Sequence, residues 1–179
     1  MKYLYFLFLV VSSACYGYTK ENFYSVNSDG WEIYEVPKQD LANVFRCKEC
    51  NGIVQIQISY GPKGASEFFS DTSEMIAQFK SEKSLGFFVD MMIEESTPWL
   101  EKDYIKVLNI NKNSELGGLP ALEYSMCGES KLIKPTIEKT YVAIQKDRML
   151  RLSVHYSQGE EKSIKKDKIN AFINSFKYL

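Results

Sequence analysis

The clearest apolar–polar alternation lies at 53–60, where Val54, Ile56 and Ile58 interleave with Gln55, Gln57 and Ser59. That period of two marks a strand with one buried face. A second strand at 149–156 places Leu150, Leu152, Val154 and Tyr156 on one side and Arg151, Ser153 and His155 on the other. It forms a predicted hairpin with 136–145 around Lys146-Asp147. Nearer the start, apolar runs at 23–26 and 31–36 flank Asn27-Ser28-Asp29-Gly30, and an Asp-Gly step between such runs predicts another hairpin. Pro37 ends its second strand, since proline removes a ladder donor. Further strands are expected at 42–46, 104–110 and 119–127, with a polar loop at 111–118 and a turn at 128–130.

Helical spacing takes over in the middle of the chain. Phe68, Met75, Ile76 and Phe79 fall on one side of a helix over 65–80, which Asp71-Thr72-Ser73 divides into two short pieces. Leu85, Phe88, Val89, Met92 and Ile93 follow a regular amphipathic stripe, with Phe87 and Met91 off it as a second apolar contact. Thr97-Pro98 stops this helix, because the residue before proline avoids helical geometry. A last helix over 161–176 carries Ile169, Phe172, Ile173 and Phe176. Its Lys162, Lys165, Lys166 and Lys168 are diluted by Glu160, Glu161 and Asp167 into a solvated face. Strands, helices, strands, helix, with hairpins throughout, predict an α+β domain: a central antiparallel sheet of six strands or more, covered by helices. No repeat or linker divides 18–179, so one domain is expected.

The first seventeen residues have a different character. Met1-Lys2 is a cationic tip, 3–11 an unbroken apolar run, and 12–17 mostly small residues, the tripartite pattern of a secretory signal peptide. The run is too short for a membrane-spanning helix, which needs about 20 residues. Cleavage is expected after Gly17, with Ala14 the second choice. Ser13-Ala14-Cys15 partly resembles a lipobox, which would lipidate Cys15, although Ser12 stands where leucine is wanted. The expected location is the periplasm or the exterior, with a membrane-anchored lipoprotein as the alternative.

Composition narrows the function classes. The 179 residues hold 22 Lys and Arg against 23 Asp and Glu, a balance that argues against a nucleic-acid partner. A hydrophobic fraction of 45% with 14% aromatics excludes a disordered chain. If Cys15 leaves with the leader, Cys47, Cys50 and Cys127 remain, and export favours oxidation. A structural disulfide between two of them is favoured, pairing open. A thioredoxin-like role for Cys47-Lys48-Glu49-Cys50 would need a helix N-terminus to activate the thiol, and strand chemistry flanks it instead. A zinc set of Cys47, Cys50, Cys127 and His155 has only one closely spaced pair, so no metal and no cofactor are expected. His155 has no G-x-S-x-G-type nucleophile to serve, so no catalytic residue is assigned. Gln55, Gln57, Glu123, Arg151 and His155 are assigned by alternation to one open sheet face, as a ligand or partner surface.

Gly117-Gly118-Leu119-Pro120-Ala121 opens a strand, a hairpin follows at 140–156, and Ile173-Asn174-Ser175-Phe176 closes the last helix. This pattern resembles the PsbP-like (Mog/PsbP) superfamily of small exported proteins, over 104–179 and in outline before it. The resemblance implies an antiparallel sheet between helical layers. It implies binding or assembly factors without catalytic residues; the Cys47/Cys50 pair is not a general feature of that family.

The leading expectation is an exported, non-enzymatic protein that binds a protein partner in the envelope, with an immunity-type protein as one concrete form. A periplasmic small-ligand binder is the second reading and a CxxC thiol–disulfide enzyme the third.

Overall fold

The computed structural model describes residues 17–36, 41–50, 52–96, 104–130, 133–157 and 166–179. Residues 1–16 of the leader with Cys15, the Pro37 and Thr97-Pro98 stops, and 161–165 of the last predicted helix lie outside them.

The long alternating segments become the middle of a seven-stranded antiparallel sheet. In chain order its strands are β3 (Trp31–Glu35), β4 (Ala42–Cys47), β5 (Val54–Lys63), β6 (Ile105–Leu116), β7 (Leu119–Ser130), β8 (Ile133–Gln145) and β9 (Arg148–Ser157). Across the sheet they run β3-β4-β5-β9-β8-β7-β6. Two local meanders are therefore joined through one distant pairing, in which Val54 faces Tyr156 and Ser59 faces Arg151. A second sheet holds β1 (Gly17–Lys20), β2 (Tyr24–Asn27) and β10 (Lys177–Tyr178), with β2 in the centre. The helices are α1 (Thr72–Gln78), α2 (Glu82–Ser96) and α3 (Lys166–Asn174).

Each face of the large sheet has its own core. On one face Val54, Ile56, Ile58, Leu150, Leu152 and Val154 pack with Phe172 of α3 and with Tyr24 and Val26 of the small sheet. Phe172 lies between Trp31 and Phe45, its ring centroid 5.0 Å and 4.9 Å from theirs. On the other face the predicted α2 stripe, Leu85, Phe88, Val89, Met92 and Ile93, packs with Leu122, Tyr124, Met126 and Val142 of β7 and β8. The domain is thus α+β with a central antiparallel sheet, as the pattern predicts. That sheet lies between two layers, as the resemblance implies; the small second sheet joins α3 in one of them.

The helical segment at 65–80 is divided as expected, into a 3₁₀ turn at Ala65–Glu67 and α1. Asp71 caps α1, accepting from the Glu74 N–H at 2.8 Å, while the Glu74 carboxylate accepts from the Ser70 N–H at 2.7 Å. The first bond satisfies a donor that the helix start leaves open, and the second ties the residue before the cap back to the first turn. Phe68, expected on the buried side, is instead 70% exposed, because it precedes the cap rather than belonging to the helix. Phe87 is 73% exposed.

Four local expectations are corrected. The runs flanking Asp29-Gly30 do not pair: β2 pairs with β1 and β10, and β3 with β4. The Trp31 N–H does donate to Ser28 O at 3.0 Å, but only Gly30 has positive φ (75°) there and Asp29 does not. Hairpin turns of the I′ type need both; this turn splays its strands into different sheets. The loop expected at 111–118 is strand, for β6 continues to Leu116 and closes on β7 through Gly117 and Gly118, both at positive φ. The turn expected at 128–130 is also strand, with a register shift between Gly128 and Ser130. Finally, α3 ends at Asn174, and Phe176 is buried beyond it, beside β10.

Candidate functional site

Register decides which polar residues meet. Across β5, β9 and β8, Gln55 faces His155, which faces Glu138; Gln57 faces Ser153, which faces Thr140; Ser59 faces Arg151, which faces Val142. Directly opposed residues share a face. Gln55, Gln57, Arg151 and His155 therefore lie together, on the side that α2 covers farther along at β7 and β8. The rows continue to Arg46 and Glu32, and to Val44 and Tyr34. Glu32, Tyr34 and Arg46 are exposed, and Gln55, Gln57 and Ser59 half-buried.

Glu123 is not part of this face. It opposes Tyr141 and ion-pairs with Lys139 at 3.0 Å on the other side of the sheet, where Ser114 also donates to it at 2.8 Å. Alternation fixes the two faces within a strand, but not which face of one strand matches which face of another.

A buried polar chain marks the border of the helix-covered part. Glu138 is 3% exposed. Its Oε1 accepts from the Thr140 hydroxyl at 2.7 Å, and its Oε2 lies 3.4 Å from His155 Nδ1. The Thr140 and Ser153 oxygens are 2.7 Å apart. Since Thr140 has one proton and gives it to Glu138, Ser153 donates to Thr140. Sequence reasoning missed Glu138 and Thr140; their alternation with Ile137, Lys139 and Tyr141 was the available signal.

Beyond Ser59 and Arg151 the face ends in a cleft of about 620 Å³, lined by Lys63, Phe68, Glu95, Met149 and Arg151 among others. One wall is the 3₁₀ turn, pinned from the β8–β9 hairpin. Asp147 accepts from the Gly64 N–H at 3.1 Å, the Ser66 N–H at 2.8 Å and the Ser66 hydroxyl at 2.5 Å. The Ser66 and Gly64 donors hold its carboxyl below the usual aspartate range. The hairpin turn places both Lys146 (φ 50°) and Asp147 (φ 61°) in the left-handed region, without glycine. The floor is braced where β5 shifts register, Arg148 Nη1 donating to Gly61 O at 2.7 Å. At the far wall, Arg151 Nη2 lies 2.5 Å from Glu95 Oε2 and 3.3 Å from Met92 Sδ.

The cysteines sit elsewhere. Cys47 and Cys50 form a disulfide, Cα atoms 5.5 Å apart, where β4 leaves the sheet. Glu49 between them pairs with Lys168 of α3 at 2.7 Å. Cys127 takes no part in that bridge; it opposes Ile137, on the face away from His155. The Cys₃His zinc set is therefore not assembled: two of its sulfurs are bonded to each other, and the other two ligands point to opposite faces. Among the described residues no group of three or more His, Cys, Asp or Glu is placed to hold a metal ion. Nor is any helix among them long and apolar enough to cross a membrane.

No protein-family model matches the chain. No curated protein matches it either. Among solved structures, the cyanobacterial PsbP (CyanoP) of Synechocystis sp. PCC 6803 is similar over 91% of each chain, at 12% identity and a TM-score of 0.53. LpqN of Mycobacterium tuberculosis, described as involved in cell envelope biogenesis, covers 84% of this chain, 79% of its own, at 12% identity and a TM-score of 0.46. A Bacteroides thetaiotaomicron VPI-5482 protein covers 91% of this chain at 10% identity and a TM-score of 0.49; the chain spans only 48% of that protein's length. With a seven-stranded antiparallel sheet covered on both faces, and similarity to CyanoP over 91% of each chain, the chain has the PsbP-like fold.

Proposed function

We propose that this chain is an exported, non-enzymatic binding protein that docks a protein partner in the cell envelope, using the open side of β3, β4, β5 and β9. The observation that carries the reading is the uneven cover of that side: apolar and buried under α2 at β7 and β8, polar and half-exposed from Gln55 and Gln57 to Arg46 and Tyr34. A surface mixing an aromatic, an arginine and amide side chains suits protein contact. Export rests on the leader pattern at 1–17. An immunity-type role, blocking a toxin delivered to the envelope, is one form this binding would take.

A photo-crosslinking residue placed at Gln57 in the full chain, in its own cells, tests the reading. A discrete adduct is expected from Gln57 and not from a control at Lys112, exposed on the edge strand β6. Identical adducts from both positions, or none from Gln57, would overturn the docking face. Recovery of the chain from cytosol with Met1 attached would overturn export, and substrate turnover the non-enzymatic part.

A further inference from the structure

We propose that the cleft between the 3₁₀ turn and the end of α2 binds an organic acid, a carboxylate carried on an apolar body. Its volume of about 620 Å³ falls within the range of small-ligand sites. It joins the two features such a ligand needs. Phe68, Met149, Pro62 and Ala65 supply apolar wall, with Phe68 70% exposed and its ring centroid 6.5 Å from that of Phe69. At the inner end stands the Arg151 side chain, only 20% exposed, a guanidinium whose planar fork matches a carboxylate.

Glu95 marks the position of the ligand's acid group. It lies 2.5 Å from Arg151, yet its own side chain is 59% exposed, and both described contacts of the guanidinium are made through Nη2 alone. It also sits in the last turn of α2, where the helix dipole is negative and a carboxylate unwelcome. An exposed ion pair of this kind contributes little to stability. A ligand carboxylate that takes both edges of the fork replaces Glu95 at small cost and lets it return to water. The site is also prepared in advance. Asp147 fixes the 3₁₀ wall and Arg148 braces the floor, so little ordering is left for the moment of binding.

The cleft shares Arg151 with the docking face, but the two are tested apart: either can fail while the other stands. The test uses phenylacetate as probe, with phenylethanol as the uncharged control and acetate as the control without an apolar body. Binding is followed by NMR on the full chain, through the Met149 methyl and the Arg151 side-chain N–H signals. Phenylacetate should shift both signals, half-saturating at roughly 1–10 mM, the strength so small a ligand reaches. The two controls should bind at least tenfold more weakly. Glu95→Gln, a surface change that leaves the fold alone, should tighten phenylacetate about threefold. Arg151→Met, checked for native circular dichroism, should abolish the preference for phenylacetate over phenylethanol. Equal binding of phenylacetate and phenylethanol, an unchanged or weaker affinity in Glu95→Gln, or no shift at Met149 would each overturn the proposal.

Discussion

Lys146 and Asp147 hold left-handed backbone without glycine, a conformation that costs L-residues about 1–2 kcal/mol each. What the turn gains is placement of two side chains. Lys146 Nζ donates to Asn22 O and lies 5.7 Å from the Phe23 ring centre, tying the small sheet to the hairpin. Asp147 fixes the wall of the cleft. Its carboxyl titrates below the usual value because Ser66 and Gly64 donate to the charged form. A depressed folded-state pKa contributes stability at pH above the unfolded value, about 3.9, and the contribution disappears as pH falls through the folded value. Asp147→Asn keeps a residue that tolerates the left-handed region and removes the charge, together with the acceptor oxygen that takes the Gly64 N–H. Thermal melts should show the variant less stable than the parent at pH 7, with the gap narrowing as pH falls below about 4. A gap that stays constant with pH would mean that the carboxylate charge contributes nothing there.

At the scale of elements, the Gly117–Gly118 turn and the α3 anchor make the sharpest predictions. A Cβ at Gly117 would lie 3.1 Å from Phe176 Cδ1, Phe176 O and Tyr178 Cδ2, whereas one at Gly118 meets open space. Both positions carry the left-handed cost of about 1–2 kcal/mol, so Gly117→Ala should lower the urea midpoint clearly more than Gly118→Ala. Phe172→Ala removes the ring between Trp31 and Phe45 and should cost about 3–5 kcal/mol by the same measurement. The elements differ in how plainly the sequence announces them. The α2 stripe was readable because all five of its apolar positions pack on one sheet face. The β5 and β9 strands were readable because each has one wholly apolar side. The latter half of β6 was not: at the sheet edge Asn109, Lys112 and Asn113 are exposed, and register shifts break the alternation a reader relies on. The Asp29-Gly30 turn was recognisable as a turn, but its strands' partners are set by distant contacts with β10 and β4. For the same reason the candidate face was legible in four of its residues, and Glu123 was misplaced.

Across the whole molecule, burial pushes the phenols of Tyr24, Tyr60 and Tyr178 well above their ordinary range. Tyr24 donates to Asn43 at 3.0 Å, and Tyr60 to Gln145, so the protonated forms are built into the core between the two sheets. Groups with raised folded-state pKa values contribute stability below the unfolded value, about 10, and lose it as pH rises further. In an alkaline titration these phenols should ionise together with loss of far-ultraviolet circular dichroism; smooth ionisation near pH 10 in a still-native protein would contradict the burial. The order of the large sheet has a further bearing. Its two meanders, 31–63 and 105–157, are assembled from near neighbours in sequence, and among the described residues β5 against β9 is the ladder that stitches them. Non-local pairing of this sort is slow to close in folding. Gln55 with His155, Gln57 with Ser153 and Ser59 with Arg151 all straddle that stitch. Any molecule gripping both sides of it acts as a clasp across the two halves, and amide exchange along β5 and β9 should slow on its arrival.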